Sequence, residues 1–239
     1  TQLRKSRWMG WREFLAANGV SEEDFAKHLF IANTRDYLLF FTNDGRVYWQ
    51  KVYDLPQLGR MAQGRALVNL LELTGEQKVV SIVPVKNFED DASIFISSEQ
   101  GYMKKCRLSE YKNPRRGGIS TMGLEDGDKV MAAELVNRGQ EVALCTRLGM
   151  AVRFDETVVR DMGRAARGVH GPKLDHDDKI VSVVIGQPGD YLLTVCEKGV
   201  GKRSQIDEYR KTATQRARGV INVKITEKNG PVVAVIAVK

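Results

Sequence analysis

The chain has 239 residues, 42 % of them apolar, and a formal net charge of +7. That is enough apolar material for a folded core, which excludes a disordered tail, and no run of about eighteen apolar residues exists to cross a membrane as a helix. The Lys and Arg excess favours polyanions, such as nucleic acid or an anionic membrane surface, as partners.

Thr1–Arg12 opens without Met and without the apolar run of a signal peptide, so the chain is expected to be a fragment of a longer one. This stretch carries Arg4, Lys5, Arg7 and Arg12 beside Trp8 and Trp11 and is similar to Tyr102–Tyr111, YMKKCRLSEY. The chain therefore opens partway through a repeat unit. Ser21–Phe25, SEEDF, predicts a short helical turn with Ser21 as its cap. His28–Asn33 and Tyr37–Thr42 predict strands separated by Thr34-Arg35-Asp36. Asn43-Asp44-Gly45 is a turn signal, and Arg46–Val52 resumes as a strand, giving a hairpin.

The same unit recurs three times. Ala92–Ser97 and Tyr102–Cys106 flank Gly101, Val142–Thr146 and Met150–Phe154 flank Gly149, and Tyr191–Cys196 and Val200–Arg203 flank Gly199. Each turn glycine is expected at positive φ. Each hairpin leads to a basic box, and each box to another apolar strand: Val79–Val85, Lys129–Leu135, Ile180–Ile185 and Val232–Val238. Acidic or polar connections accompany these strands, at Asn87–Asp91, Glu125–Asp128, Asp175–Asp178 and Thr226–Gly230. Runs of this length are strands rather than helices, and helix content should be low.

The boxes read RMAQGRAL at Arg60–Leu67, YKNPRRGGI at Tyr111–Ile119, GRAARGV at Gly163–Val169 and YRKTATQRARGV at Tyr209–Val220. Their last arginines, Arg65, Arg116, Arg167 and Arg218, are each 51 residues apart. Fixed spacing of this kind marks a repeat architecture, and short strands at regular intervals point to a propeller-like ring or a sandwich. The predicted domain is a single repeat-built unit over residues 1–239.

The basic residues gather in the same phase of every repeat. The first set is Arg46, Lys51, Arg60 and Arg65, and the second is Lys104, Lys105, Arg107, Lys112, Arg115 and Arg116. The third holds Arg147, Arg153, Arg160, Arg164 and Arg167, and the fourth Lys198, Lys202, Arg203, Arg210, Lys211, Arg216 and Arg218. On a ring they would form a nearly continuous positive rim. Duplex DNA carries one charge per about 1.7 Å of axis, so such a rim would engage many phosphates. Arginine offers a planar fork to phosphate oxygens, and an adjacent glycine would let the backbone approach. Contacts of this kind position DNA without reading its sequence. Tyr111 and Tyr209, at unequal distances from their anchors, are expected to pack in the core.

No GxxxxGK[ST] or GxSxG motif is present, and the three histidines form no visible triad, so the chain by itself is not expected to be an enzyme. Cys106, Cys145 and Cys196 lack metal-ligand spacing and read as buried thiols. The loop pairs Asp90-Asp91 and Asp177-Asp178 show no convergence toward a cation. No cofactor is expected. The competing reading is a propeller scaffold for protein partners, whose mark would be an exposed apolar or aromatic face with the basic boxes dispersed.

EDFAKHLFIANTRDYLLFFT, GRVYWQKVY and YKNPRRGGI occur in order, and on these segments the chain resembles the C-terminal domain of the A subunit of bacterial DNA gyrase, with that of topoisomerase IV as the near alternative. The resemblance covers essentially the whole chain. It implies an all-β β-pinwheel, a propeller-like disc of four-stranded blades that exchange strands, with about five blades here. It further implies a basic rim that wraps duplex DNA, and a cytoplasmic, nucleoid-associated enzyme. In that enzyme the remainder of the same polypeptide cleaves DNA, the B subunit hydrolyses ATP with Mg2+, and no membrane is involved. One departure stands out. The family's Gln-Arg-Arg-Gly-Gly-Lys-Gly box is replaced by Phe14–Val20, FLAANGV, so the wrapping role of the first blade is in question.

Overall fold

The computed structural model of the chain describes residues 31–57 and 66–238. In chain order its strands are β1 (Tyr37–Thr42), β2 (Arg46–Lys51), β3 (Val79–Val85), β4 (Ala92–Ser98), β5 (Tyr102–Arg107), β6 (Ile119–Ser120), β7 (Val130–Asn137) and β8 (Glu141–Thr146). They continue as β9 (Met150–Asp155), β10 (Val169–His170), β11 (Ile180–Gly186), β12 (Tyr191–Cys196), β13 (Gly201–Gln205), β14 (Lys211–Thr212), β15 (Val220–Ile221) and β16 (Val232–Val238). Among the described residues the only helical segments are single 3-10 turns, in line with the poor 3.6-residue periodicity. The helical turn expected at Ser21–Phe25 lies outside the described residues.

Ile31–Asn33 departs from expectation, because it belongs to no strand and Ile31 is 98 % exposed. An Asn33–Asp36 turn intervenes. The Asp36 carboxylate accepts from the Asn33 N–H, and the Asp36 N–H donates to the Asn33 carbonyl, so pairing begins only at Tyr37.

The strands form four sheets. The first runs β3-β1-β2-β6 and the second β7-β4-β5-β10. The third runs β11-β8-β9, with β14 and β15 both on β9, and the fourth is β16-β12-β13. These are the blades of an open pinwheel. The opening segment expected to contribute to a fifth lies outside the described residues.

Every blade is built alike. An antiparallel hairpin turns at Gly45, Gly101, Gly149 or Gly199, all at positive φ as expected. The first hairpin strand then pairs with the long strand that ends the module, and that register shifts in every blade where the strand meets its turn: at Phe41/Thr42, Ser97/Ser98, Ile180/Ser182 and Val195/Cys196. A bulge of this kind increases twist and re-aims the chain.

The long strands β3, β7, β11 and β16 stand side by side as the hub. Each blade is tied to the one before it, since Val130, Ile180 and Val232 donate their N–H groups to the carbonyls of Asn43, Glu99 and Arg147 in the preceding hairpin turns. Ser81 and Ser182 accept from the Ala133 and Val235 N–H groups of the neighbouring hub strands, each at 2.9 Å. The acidic connections cap turns, with Asp128 accepting from the Gln100 N–H and Asp178 from the Leu148 N–H. The apolar core lies between the blades. Leu39, Phe41, Ile94 and Tyr111 fill the first junction, Phe95, Leu144 and Phe154 the second, and Leu192, Ile206 and Val235 the third. Cys106, Cys145 and Cys196 are buried thiols, as expected.

The fourth strand of a blade comes from the next module. β6 pairs with β2, β10 with β5 and β15 with β9, each after a basic box has carried the chain back across the blade boundary. The crossing explains the glycine that ends the third and fourth boxes. A Cβ on Gly168, at φ +98°, would lie 2.4 Å from the Met103 carbonyl oxygen, and one on Gly219 would lie 2.7 Å from the equivalent oxygen of Ala151. These glycines permit strand exchange, a different task from the phosphate approach expected of them. Gly168→Ala should therefore destabilise the fold by about 2 kcal/mol or more, from clash plus left-handed strain, read as a lowered denaturant midpoint.

The hub also carries an isolated acid. Glu134 on β7 faces a cavity of about 450 Å³ whose other walls include Val181, Val184 and Ile236, and burial raises its pKa to about 7. The folded state then binds more protons than the unfolded one between pH 4.5 and about 7. The stability this supplies is complete below pH 4.5 and is lost as the pH rises through 7. Glu134→Gln should flatten this slope and stabilise the protein at pH 8 by about 1–2 kcal/mol, measured by urea unfolding at both pH values.

Candidate nucleic-acid interface

Each hairpin is followed by a 3-10 turn, at Val52–Asp54, Leu108–Tyr111, Glu156–Val158 and Ile206–Glu208. A box loop and an exchanged strand come next. Tyr111 and Tyr209 turn out to be equivalent despite their different distances from the anchors. Both are buried, and each closes its box loop by a hydrogen bond just beyond the exchanged strand: Tyr111 Oη to Thr121 Oγ1 at 2.9 Å, and Tyr209 Oη donating to Asn222 Oδ1 at 2.6 Å. Burial raises both phenol pKa values. The loops are thus clasped at both ends, which holds their arginines in place before any ligand arrives.

Part of the positive charge is used inside the fold, and three expected contact residues are corrected. Lys104 is fully buried, with its Nζ surrounded by backbone carbonyls of Thr121, Gly163, Arg164 and Ala166. Lys105 is buried against Glu156, donating to both its carboxylate and its carbonyl. Arg153, the equivalent of Lys105 in the next blade, donates to Glu141 Oε2 at 2.6 Å, Asp207 Oδ1 at 2.6 Å and the carbonyls of Ile206 and Tyr209. Burial opposes the charged form of Glu141, but hydrogen bonds from Arg153 and Lys211 outweigh it and hold that carboxyl below its usual range. These cations face the next module rather than solvent, so phosphate does not reach them.

A second group is exposed or half-buried, and engaged. Arg46 donates to the carbonyls of Gly117 and Gly118, and Arg164 to those of Ser120 and Glu110. Arg167 pairs with Glu125 at 2.6 Å, Arg107 with Asp161 at 3.3 Å and Lys112 with Glu89 at 3.5 Å. Lys211 bridges Glu141 and Asp155, while Lys51 lies over the rings of Tyr37 and Tyr53. The Arg167–Glu125, Arg107–Asp161 and Lys112–Glu89 pairs are solvent-exposed and worth about 0–1 kcal/mol each, so a phosphate can compete for these three cations.

The third group is exposed and forms no ion pair among the described residues: Arg115, Arg116, Arg147, Lys202, Arg210, Arg216 and Arg218, with Arg203 stacked 4.5 Å from the Tyr191 ring centroid. Arg4, Lys5, Arg7, Arg60 and Arg65 lie outside the described residues, as does the degenerate box Phe14–Val20.

Sheet order puts the boxes at the outer edge. In the first two blades the exchanged strand is farthest from the hub strand, and in the third β15 sits on the outer hairpin strand β9. Neighbouring boxes meet there. The Gly123 N–H donates to the Ala166 carbonyl, linking the second and third. The third and fourth enclose a groove lined by Gly168, Val169 and His170 on one side and Thr214, Gln215 and Arg216 on the other. Charge counting alone overlooks His170 and Gln215. His170 stacks on Tyr102 with centroids 4.2 Å apart, and the sign of it in the sequence is only its place directly after the box.

The model of the DNA gyrase C-terminal domain, beta-propeller, matches residues 36–86, 92–137, 140–186 and 190–239, one segment for each blade. The chain belongs to the DNA gyrase C-terminal domain family. It is 43 % identical over 223 residues to the DNA gyrase A protein of Salmonella typhimurium, covering 93 % of the chain and 25 % of that protein. It is 42 % identical over 219 residues to the DNA gyrase A protein of Chlamydia muridarum, covering 90 % and 26 %. The chain thus spans about a quarter of the length of these relatives. Among solved structures it is similar to the C-terminal domain of DNA topoisomerase IV, with TM-score 0.79 and 27 % identity over 96 % of this chain and 73 % of that one. It is also similar to a DNA gyrase A C-terminal domain, with TM-score 0.75 and 29 % identity over 87 % and 67 %.

Within this gyrase-type domain the two kinds of basic residue should separate cleanly on mutation. Arg153→Met removes a buried cation from Glu141 and Asp207 and should cost about 3 kcal/mol of stability by denaturant titration. Arg147→Ala touches no such network and should leave stability within about 0.5 kcal/mol.

Proposed function

We propose that this chain binds, bends and wraps duplex DNA without sequence preference, as the C-terminal domain of the A subunit of a type IIA topoisomerase. The whole chain, residues 1–239, serves as one repeat-built wrapping domain. The observation that carries this reading is the placement of three box loops along one outer edge, with Arg115, Arg116, Arg147, Arg210, Arg216 and Arg218 exposed and without internal ion pairs among the described residues. A duplex laid along that edge meets each box in turn. Smooth bending over 20–30 bp costs on the order of 1–6 kcal/mol, which contacts spread around the curve offset.

In the full enzyme the wrap presents a neighbouring duplex to the cleavage gate. The remainder of the same polypeptide, together with the ATPase B subunit, carries out strand passage with ATP and Mg2+. That work belongs in the cytoplasm, on the nucleoid. The curated relatives favour a gyrase-type protein. The replaced box at Phe14–Val20 supports binding and bending of DNA without full negative supercoiling. The scaffold reading required dispersed boxes, and their gathering at one edge counts against it.

The first test incubates the domain with relaxed, nicked plasmid over a salt series, seals the nicks with ligase and reads linking number on a gel. Chiral wrapping gives a shift of one sign that grows with protein. Binding without a shift marks a bender, and no binding at low salt overturns the proposal. Arg115→Ala with Arg116→Ala should weaken binding to all duplexes alike and lower the salt slope by up to about 1.8, the loss of two phosphate contacts.

A further inference from the structure

We propose that Lys104 is a positioning residue for duplex wrapping: its ammonium group fixes where the third box stands relative to the second. This rests on the wrapping function proposed above. Lys104 lies on β5 with no exposed surface, and its Nζ is 3.0 Å from the Thr121 carbonyl, 2.7 Å from that of Gly163, 2.5 Å from that of Arg164 and 3.1 Å from that of Ala166. Thr121 follows the exchanged strand of the second box, and Gly163–Ala166 is the loop of the third. One cation therefore gathers backbone from two successive boxes.

No carboxylate pairs with Lys104 among the described residues, whereas its neighbour Lys105 has Glu156. The stabilisation comes from carbonyl dipoles alone. Those carbonyls point inward from an irregular loop, where a compact, multiply donating group is needed to satisfy them. Burial lowers the pKa of Lys104 to about 8, so the ammonium form predominates at neutral pH.

The clasp is specific to this junction. By strand register the equivalent positions are Tyr48, Val152 and Lys202. The Tyr48 ring packs where a side chain on Gly118 would stand, and Val152 packs against Gly219. Lys202 is exposed on the last blade. Uncharged side chains thus serve the same place in the first and third blades. Burying an ammonium group costs several kcal/mol, and apolar replacements of buried ionic groups are often neutral or stabilising. What the cation supplies at this junction is the location of the loop. Arg164 reinforces it from the other side through its bonds to Glu110 and Ser120 carbonyls. Because a bent duplex must meet the boxes at set intervals, freeing one loop should disturb the curve more than the local contact.

Lys104→Met, close in shape but uncharged, tests this in the whole chain by three measurements. Amide hydrogen exchange at Gly163–Ala166 should quicken about tenfold, with the fourth box loop unchanged as internal reference. Affinity for a duplex of about 12 bp, too short to follow the curve, should stay within about twofold. The linking-number shift on plasmid should fall at least by about half. A loosened loop with an undiminished linking shift, or no loosening, overturns the proposal, as does an equal loss of short-duplex and plasmid binding. Should Lys104→Met fail to fold, Arg164→Met keeps the buried cation and cuts the second tie. A smaller loss of linking shift supports the proposal, and no loss overturns it. Wild-type protein that binds without any shift would overturn the wrapping reading instead, and the exchange measurement would still decide whether Lys104 holds the loop.

Discussion

The constraint on which the structure depends is the open edge of each hairpin. The second hairpin strand of every blade has one side without a partner within its own module, and an unpaired strand edge is both costly when buried and prone to pairing with other chains. In the first three blades the next module lends a two-residue strand to that edge. The loan forces the chain to cross a blade boundary, and the crossing admits only glycine at Gly168 and Gly219, where backbone meets backbone. Hub strands, hairpin turns and acidic caps then repeat around this exchange.

The same exchange gives the basic boxes their place. A box is the bridge between a 3-10 turn in one blade and the borrowed strand in the neighbour, so it stands at the outer edge whenever the exchange occurs. Its charge is divided between two tasks. Lys104, Lys105 and Arg153 hold blades together from within, by carbonyls and by acids. Arg115, Arg116, Arg216 and Arg218 face outward. Buried cations are removed from any electrostatic attraction of a polyanion at short range, and the exposed ones alone can exchange counterions for phosphates. A count of Lys and Arg therefore overstates the interface.

Much of the fold was legible in the chain itself. Tyr37–Thr42, Val79–Val85, Tyr191–Cys196 and Val232–Val238 stand as strands with the bounds that their apolar runs suggested, because turn residues punctuate them on both sides. The borrowed strands Ile119–Ser120, Val169–His170 and Val220–Ile221 were not legible as strands, since two residues carry no periodicity and their partners lie in another module. Ile31–Asn33 has apolar character without a partner, and it stays outside the sheet. For the site, the sequence revealed the boxes and their regular recurrence. It did not separate Lys104 from Lys202, although strand register makes them equivalent.

The sequence by itself determined the all-β class, the recurring hairpin-and-box unit and the family, because each rests on local turn chemistry and on spacing along the chain. Only the tertiary structure decided which cations reach solvent and which are enclosed. That depends on whether a following module packs over the second hairpin strand. Lys104 and Arg153 are covered by the box loop and 3-10 turn of the next module, whereas Lys202 and Arg203 on the last described blade are exposed. Burial of a side chain is a property of what lies against it, and what lies against these is some fifty residues farther along the chain.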